Sequence, residues 1–130
     1  LLATLPGAPH TLSLQMVALF LVTLGAKPRL LGAATPAAEL VESARILHAD
    51  VVGVAVTPSS DLRKARADIR VLQRELPRSV GLWIGGSAAP SLRVESELTR
   101  VLTTWESIAE AVVEQRRRPR RTGDRAWRGA

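Results

Sequence analysis

The sequence predicts an α/β fold: a five-stranded parallel sheet with helices on both faces. Three observations carry this expectation. Short apolar runs alternate with segments of helical periodicity from the first residue to about Val113. The run Val51-Val52-Gly53-Val54-Ala55-Val56 is apolar at every position and rich in β-branched residues, as a central parallel strand covered on both faces requires. Gly25 and Pro77 stand where helical patterns end.

The elements follow in order. Leu1–Leu5 reads as a strand whose beginning is cut off, so another domain is expected to precede it. Thr11–Leu24 reads as a helix, apolar on nearly every side and therefore expected to be buried on more than one side. Arg29–Leu31 is a short strand after Pro28. Thr35 is the expected cap of a second helix, with Pro36 at its first position and a stripe of Leu40, Val41, Ala44 and Leu47. His48 falls near the end of that helix, where an imidazole suits the terminal carbonyls and the helix dipole. After the strand at 51–56, Ser59 or Ser60 is the expected cap of a third helix, striped by Leu62, Ala65, Ile69, Leu72 and Leu76.

Val80–Ile84 is the fourth strand and Gly85-Gly86 its turn. A loop or short helix covers Ala88–Glu95, and Leu98–Leu102 is the fifth strand. Thr103 and Glu106 have capping-box spacing and are expected to open a last helix with Trp105, Ile108, Ala109 and Val112. The expected strand order is the flavodoxin-like 2-1-3-4-5. Its switch point lies between strands 1 and 3, so the loops Pro6–Thr11 and Thr57–Ser60 flank the ligand crevice, with Gly85 and Gly86 next to them.

The charge is unevenly spread. Residues 1–115 hold eleven basic and eleven acidic side chains, whereas residues 116–130 hold seven Arg and one Asp. The expected division is therefore a neutral folded domain over 1–115 and an Arg-rich disordered tail over 116–130. Such a tail grips phosphate weakly and without sequence preference. Aromatic residues make up 3% of the chain with no Tyr, too few for a platform that stacks single-stranded nucleic acid. The absence of Cys excludes disulfides and thiolate metal sites and fits a cytoplasmic protein. The apolar segment 12–26 lacks a preceding basic residue and is too short for a bilayer, so neither a targeting segment nor membrane association is expected.

The sequence excludes several chemistries. No Gly-rich phosphate loop and no G-x-G-x-x-G follows the first strand. Gly85-Gly86-Ser87-Ala88-Ala89 comes near a nucleophile elbow, but such an elbow needs a later histidine, and His10 and His48 both come earlier. The ends of strands 1 and 3 are Leu5 and Thr57, not the acids of a phosphate receiver. No carboxylate pair falls in the crevice, so no enzyme is expected. His10 remains as the candidate ligand. Its loop is at the switch point, and a single imidazole suffices as axial ligand when a planar macrocycle supplies the other donors to the metal. The alternative is a loop histidine in water or on a backbone carbonyl.

The residues Leu5-Pro6-Gly7-x-x-His10, Leu14-x-Met16, Leu24-Gly25, Leu31-Gly32 with Thr35-Pro36, Asp50-Val51-Val52 and Ile84-Gly85-Gly86 resemble the cobalamin-binding domain, in the version fused to MerR-type transcriptional regulators. The resemblance covers Leu1 to about Val113. It implies His10 as the lower cobalt ligand, with Thr11 and Ser13 beside it. It further implies that the released nucleotide tail of cobalamin, adenosylcobalamin among its forms, lies along the small residues Gly53, Ala55, Gly85, Gly86 and Ser87. It implies a DNA-binding domain N-terminal to this one and a sensor role in transcription regulation.

Three positions depart from the family pattern. Ala8 stands where an acid orients the imidazole, Ser13 where the family has Gly, and Ala55 where a Ser bonds the nucleotide tail. Thr57 lies on the same strand face as Ala55, about 7 Å further along. Loss of a partner that orients a metal ligand costs on the order of 10–100-fold in metal affinity. Three readings therefore stand side by side: a cobalamin-binding sensor module, a degenerate module that keeps the fold for protein contacts without cofactor, and a haem or other tetrapyrrole sensor using His10. The apolar first helix suits contact with a neighbouring domain or a second copy of the chain.

Overall fold

The computed structural model describes residues 1–8 and 11–118 of the 130. Five strands, β1 (Leu2–Thr4), β2 (Leu30–Gly32), β3 (Val51–Ala55), β4 (Gly81–Gly85) and β5 (Thr99–Val101), form one sheet in the order β2-β1-β3-β4-β5. Every neighbouring pair is parallel. The expected architecture and strand order are thus observed. Four helices connect and cover the strands: α1 (Leu12–Thr23), α2 (Ala37–Ile46), α3 (Leu62–Glu75) and α4 (Trp105–Arg117), with a single 3-10 turn at Ala89–Leu92 before β5.

Side-chain alternation along the strands divides the core in two. Ala3, Val52, Val54, Leu82 and Ile84 point to α2 and α3, where Leu40, Ala44, Ile69 and Leu72 meet them. Leu2, Ala55 and Trp83 point to the other face, where Leu14, Ala18 and Leu21 of α1 and Ile108, Ala111 and Val112 of α4 close over them. The apolar run 52–56 is fully buried, as a strand covered on both faces must be.

Three helix starts differ from the sequence reading. Pro36, in extended conformation, is the residue before α2, and Thr35 sits one position earlier with its N–H donating to the Thr4 carbonyl at 2.8 Å. Asp61, not Ser59 or Ser60, caps α3 and accepts from the N–H groups of Arg63 and Lys64. Thr104 and Ser107, not Thr103 and Glu106, form the reciprocal capping box of α4. At α3 and α4 two or more cap-competent residues are adjacent, and the tertiary path of the loop decides which of them caps, whereas α2 starts after Pro36 with no side-chain cap.

The ends of α1 and α2 share one geometry. In α1 the N–H of Ala26 donates to Leu21 O and that of Gly25 (φ 79°) to Val22 O, the paired bonds of a Schellman motif. In α2 the same pair runs from Ala49 to Ala44 and from His48 to Arg45, with His48 itself left-handed (φ 51°). His48 therefore closes the helix with its backbone, a different device from the side-chain role the sequence suggested.

Two further expectations shift. α1 buries only Leu14, Ala18 and Leu21. Leu12, Met16 and Leu19 are 68%, 50% and 70% exposed, because α1 lies in an outer layer and the sheet and α4 cover one side of it. The helix α4 continues through Arg116 and Arg117, so these two belong to the folded domain rather than to the tail. The remaining tail, 119–130, lies outside the described residues. No helix among the described residues is long and apolar enough to cross a membrane.

Candidate functional site

The carboxyl ends of β1, β3 and β4 form a row in register. Thr4 lies opposite Ala55, and Ala55 opposite Gly85. Two of these three residues were singled out by the sequence. The third, Thr4, was not, and it organises the edge. Its hydroxyl is fully buried, donates to the carbonyl of Ala8 at 2.6 Å and accepts the N–H of Ala34 at 2.8 Å. One side chain thus ties the loop after β1 to the loop after β2. The available signal was a lone hydroxyl in the apolar run Leu1–Leu5, placed at the end of a strand.

The loop after β1 begins with a tight turn. The N–H of Ala8 donates to the carbonyl of Leu5 at 3.2 Å, and Gly7 has φ 91°. Pro6 and Gly7 are the central pair that a type II turn favours, since Pro presets the first φ and Gly supplies the positive one. Ala8 is 1% exposed. Pro9 and His10 lie outside the described residues, so the predicted metal ligand is located only by its flanks, Ala8 and Thr11. Ala8 brings no carboxylate to the site, and its backbone is held by the Thr4 hydroxyl.

Thr11 stands at the start of α1, half-buried, and its carbonyl accepts the N–H of Gln15 at 3.0 Å. Among the described residues no side chain caps this helix, and no acid lies in its first turn, so its first N–H groups have no side-chain partner among them. Ser13 is exposed on that first turn.

The loop after β3 carries a hydroxyl cluster. Thr57 Oγ1 lies 2.9 Å from Ser59 Oγ and 3.2 Å from Ser60 Oγ, and the N–H of Thr57 donates to Ser60 Oγ at 3.2 Å. Ser59 and Ser60, expected as caps, instead brace Thr57. Ala55 is buried among residues of α1 and α4.

The glycines differ in what they leave open. A Cβ on Gly85 would be in ordinary van der Waals contact with Leu102 O at 3.6 Å, so a methyl group would fit there without displacing anything. A Cβ on Gly86 (φ +97°) would lie 2.1 Å from Val56 O. Gly86 is thus required for the β4 turn to fold against the end of β3. Beside Gly53 the space is taken by Leu2, whose Cδ2 is 2.6 Å from where a Cβ would stand. Gly53 sits mid-strand and admits a core leucine. Ser87 is exposed just past the turn.

The residues named above at this edge, Thr4, Ala8, Thr11, Ser13, Ala55, Thr57, Ser59, Ser60 and Gly85 to Ser87, carry no ionisable side chain, and Asp61, next along the loop after β3, caps α3. A group bound there would be held by hydroxyls, backbone N–H groups and packing. Among the described residues no three His, Asp or Glu side chains gather as a metal site.

The chain is similar to part of a transcriptional repressor. The HTH-type transcriptional repressor CarH of Myxococcus xanthus is 34% identical over 90 residues, which is 69% of this chain. The match spans 30% of the length of CarH. No family model matches the chain.

Proposed function

We propose that this chain is a non-catalytic, cobalamin-binding sensor module of a transcriptional regulator, with His10 as the lower axial ligand of the cobalt. The observation that supports it most is the carboxyl edge. The aligned row Thr4, Ala55 and Gly85 lies at the switch point of a 2-1-3-4-5 sheet, where open parallel sheets take their ligands. The loop that leads to His10 starts there. Similarity to CarH supports the regulatory context, and the sequence resemblance supplies the cofactor class.

The edge fits such a group. Gly85 and Ala55 beside it are small, and a Cβ on Gly85 would clash with nothing. In this reading Ala55, Gly85 and Gly86 border the nucleotide tail. Thr57 and Ser87 offer hydroxyls, while Thr11 and Ser13 lie along the corrin edge with the first N–H groups of α1. Gly53, filled by Leu2, is left outside the contact. Cobalamin, when bound, would supply a cobalt centre, which the His10 imidazole would hold while the loops position that imidazole. In the regulator, a DNA-binding domain stands N-terminal to this one, as the HTH class of CarH suggests, and the protein is cytoplasmic.

A second reading draws on α1. Leu12, Met16 and Leu19 are exposed on one side of the helix, which favours a module kept for protein contacts without cofactor. Titration with hydroxocobalamin, adenosylcobalamin and haemin, followed by absorbance, separates the readings. Cobalamin binding is expected to perturb the corrin spectrum in the native chain and not in His10→Ala. No change with either cobalamin would overturn the proposal in favour of the second reading. A change with haemin alone would name a different tetrapyrrole. A change with cobalamin that survives His10→Ala would remove His10 as the ligand.

A further inference from the structure

The outer face of α4 is acidic and partly apolar. Glu106, Glu110 and Glu114 stand four residues apart on it, and all three are exposed. Glu114 pairs with Arg100, whereas Glu106 and Glu110 make no ion pair among the described residues. At the helical period, Trp105, Ala109 and Val113 form a strip alongside these glutamates. Trp105 is 44% and Val113 48% exposed, and the Trp105 ring meets Phe20 of α1 edge-on at 5.0 Å between centroids. Arg117 is the one cation beside Glu110 and Glu114 on the exposed arc, and it too is in no ion pair among the described residues.

Helix stability does not account for this pattern. Like charges four residues apart repel one another. The helix dipole favours Glu106 in the first turn and opposes Glu114 near the C-terminal end. An exposed indole and Val gain nothing from water.

The sequence beyond α4 has the complementary chemistry. Residues 119–130 hold Arg120, Arg121, Arg125 and Arg128 against one acid, Asp124, and carry Trp127 among them. Arg118, the residue after α4, donates from its guanidinium to the carbonyl of Glu97 at 3.3 Å. The segment therefore starts from a fixed point one helical turn beyond Glu114. Twelve residues of extended chain span at most about 40 Å, and Glu106 and Glu114 lie about 12 Å apart along the helix axis. The segment is long enough to turn back over the whole face.

We propose that the outer face of α4 is the docking surface for residues 119–130 of the same chain, with arginines on Glu106 and Glu110 and the Trp127 indole against Trp105. A guanidinium suits both parts of this face, since it pairs with carboxylates and stacks on indole rings. Exposed ion pairs are weak singly, and the tether decides in favour of the same chain. It holds the arginines at an effective concentration in the millimolar range, without the loss of translational freedom that a separate partner or a second copy would incur.

The test uses the 130-residue chain. It contains no Cys, so Ala130→Cys places a single nitroxide at its end. Paramagnetic broadening of the amides of Trp105 to Glu110, the end of α4 farthest from the attachment point, reads docking. These amides are expected to be broadened at about 0.02 M NaCl and to recover at about 0.5 M, where exposed charges are screened. In Glu106→Gln with Glu110→Gln, two exposed residues keep their shape, and the broadening is expected to fall about threefold or more. Arg125→Gln with Arg128→Gln, and Trp127→Ala, leave residues 1–118 unaltered and are expected to reduce it likewise. In a mixture of ¹⁵N-labelled chain without nitroxide and unlabelled chain carrying it, no broadening is expected. Broadening that is the same at both salt concentrations, or unchanged in the Arg125 and Arg128 variant, would overturn the proposal. Broadening in the mixed sample would assign the face to a second copy and overturn it as well.

Discussion

Thr4 shows how much one side chain can organise. It is buried at the end of β1, with both its hydrogen and one lone pair engaged, to Ala8 O and from the Ala34 N–H. Thr4→Val keeps the shape and leaves those two backbone groups without their partner. The expected cost is about 2 kcal/mol, from a buried donor and acceptor left unpaired, measured by urea denaturation. Cobalamin affinity is expected to fall as well, because the backbone two residues before His10 loses its anchor. Gly86 is the second such residue. Gly86→Ala combines a left-handed φ with a Cβ pressed on Val56 O, and the expected loss is about 3 kcal/mol or more. Ala8 matters for the opposite reason. With no carboxylate there, what Ala8 contributes is its backbone carbonyl, held by the Thr4 hydroxyl.

At the scale of the element, α1 divides into two faces of different meaning. Leu21 is 5% exposed and packs against the sheet, while Leu19, two residues earlier, is 70% exposed. Leu21→Ala is expected to cost about 2–5 kcal/mol through lost burial and a cavity. Leu19→Glu is expected to change stability by no more than about 0.5 kcal/mol. A thermal or urea series on these two variants checks both. A large effect of Leu19→Glu on stability in the isolated chain would show that this side is covered after all. The helix caps make the same point at another site. Asp61→Ala removes the acceptor for the N–H groups of Arg63 and Lys64 and is expected to cost about 1 kcal/mol. Ser59→Ala, at the position the sequence suggested, leaves those bonds intact.

In a polypeptide that begins at Leu1, the free α-amino group titrates within the sheet. The amino group of Leu1 donates to Val51 O at 2.9 Å while the Leu1 carbonyl accepts the N–H of Gly53, continuing the β1–β3 ladder. Burial of this charge lowers its pKa from 8.0 to about 6, opposed in part by the nearby Asp50. For a base with a depressed folded pKa, the unfolded chain binds the proton more tightly. In a polypeptide that begins at Leu1, stability is therefore fully present above pH 8. It falls as pH drops from 8 to 6, by at most about 2–3 kcal/mol. Acetylation of Leu1 keeps an N–H donor and removes the charge, and is expected to flatten that part of the stability-pH curve. Denaturation midpoints at pH 6, 7 and 8, with and without acetylation, measure it.

Most of the fold could be read from the chain alone. Five apolar runs, four helical stripes and the breaks at Gly25 and Pro77 determine an α/β sheet, because periodicity records which side of each element is buried. The same pattern puts the loops after β1, β3 and β4 beside one another, and so nominates Thr57, Gly85 and the approach to His10. What periodicity does not encode is contact between loops and the choice among neighbouring polar residues. Tertiary structure alone decided that Thr4 joins two loops, that Leu2 fills the space at Gly53 and that Gly86 meets Val56. It also chose Asp61 and Thr104 over adjacent candidates as caps, and left one side of α1 uncovered. Each of these depends on residues far apart in sequence or on the path of a loop. Their energies come from single hydrogen bonds and close approaches that only the assembled sheet brings within reach.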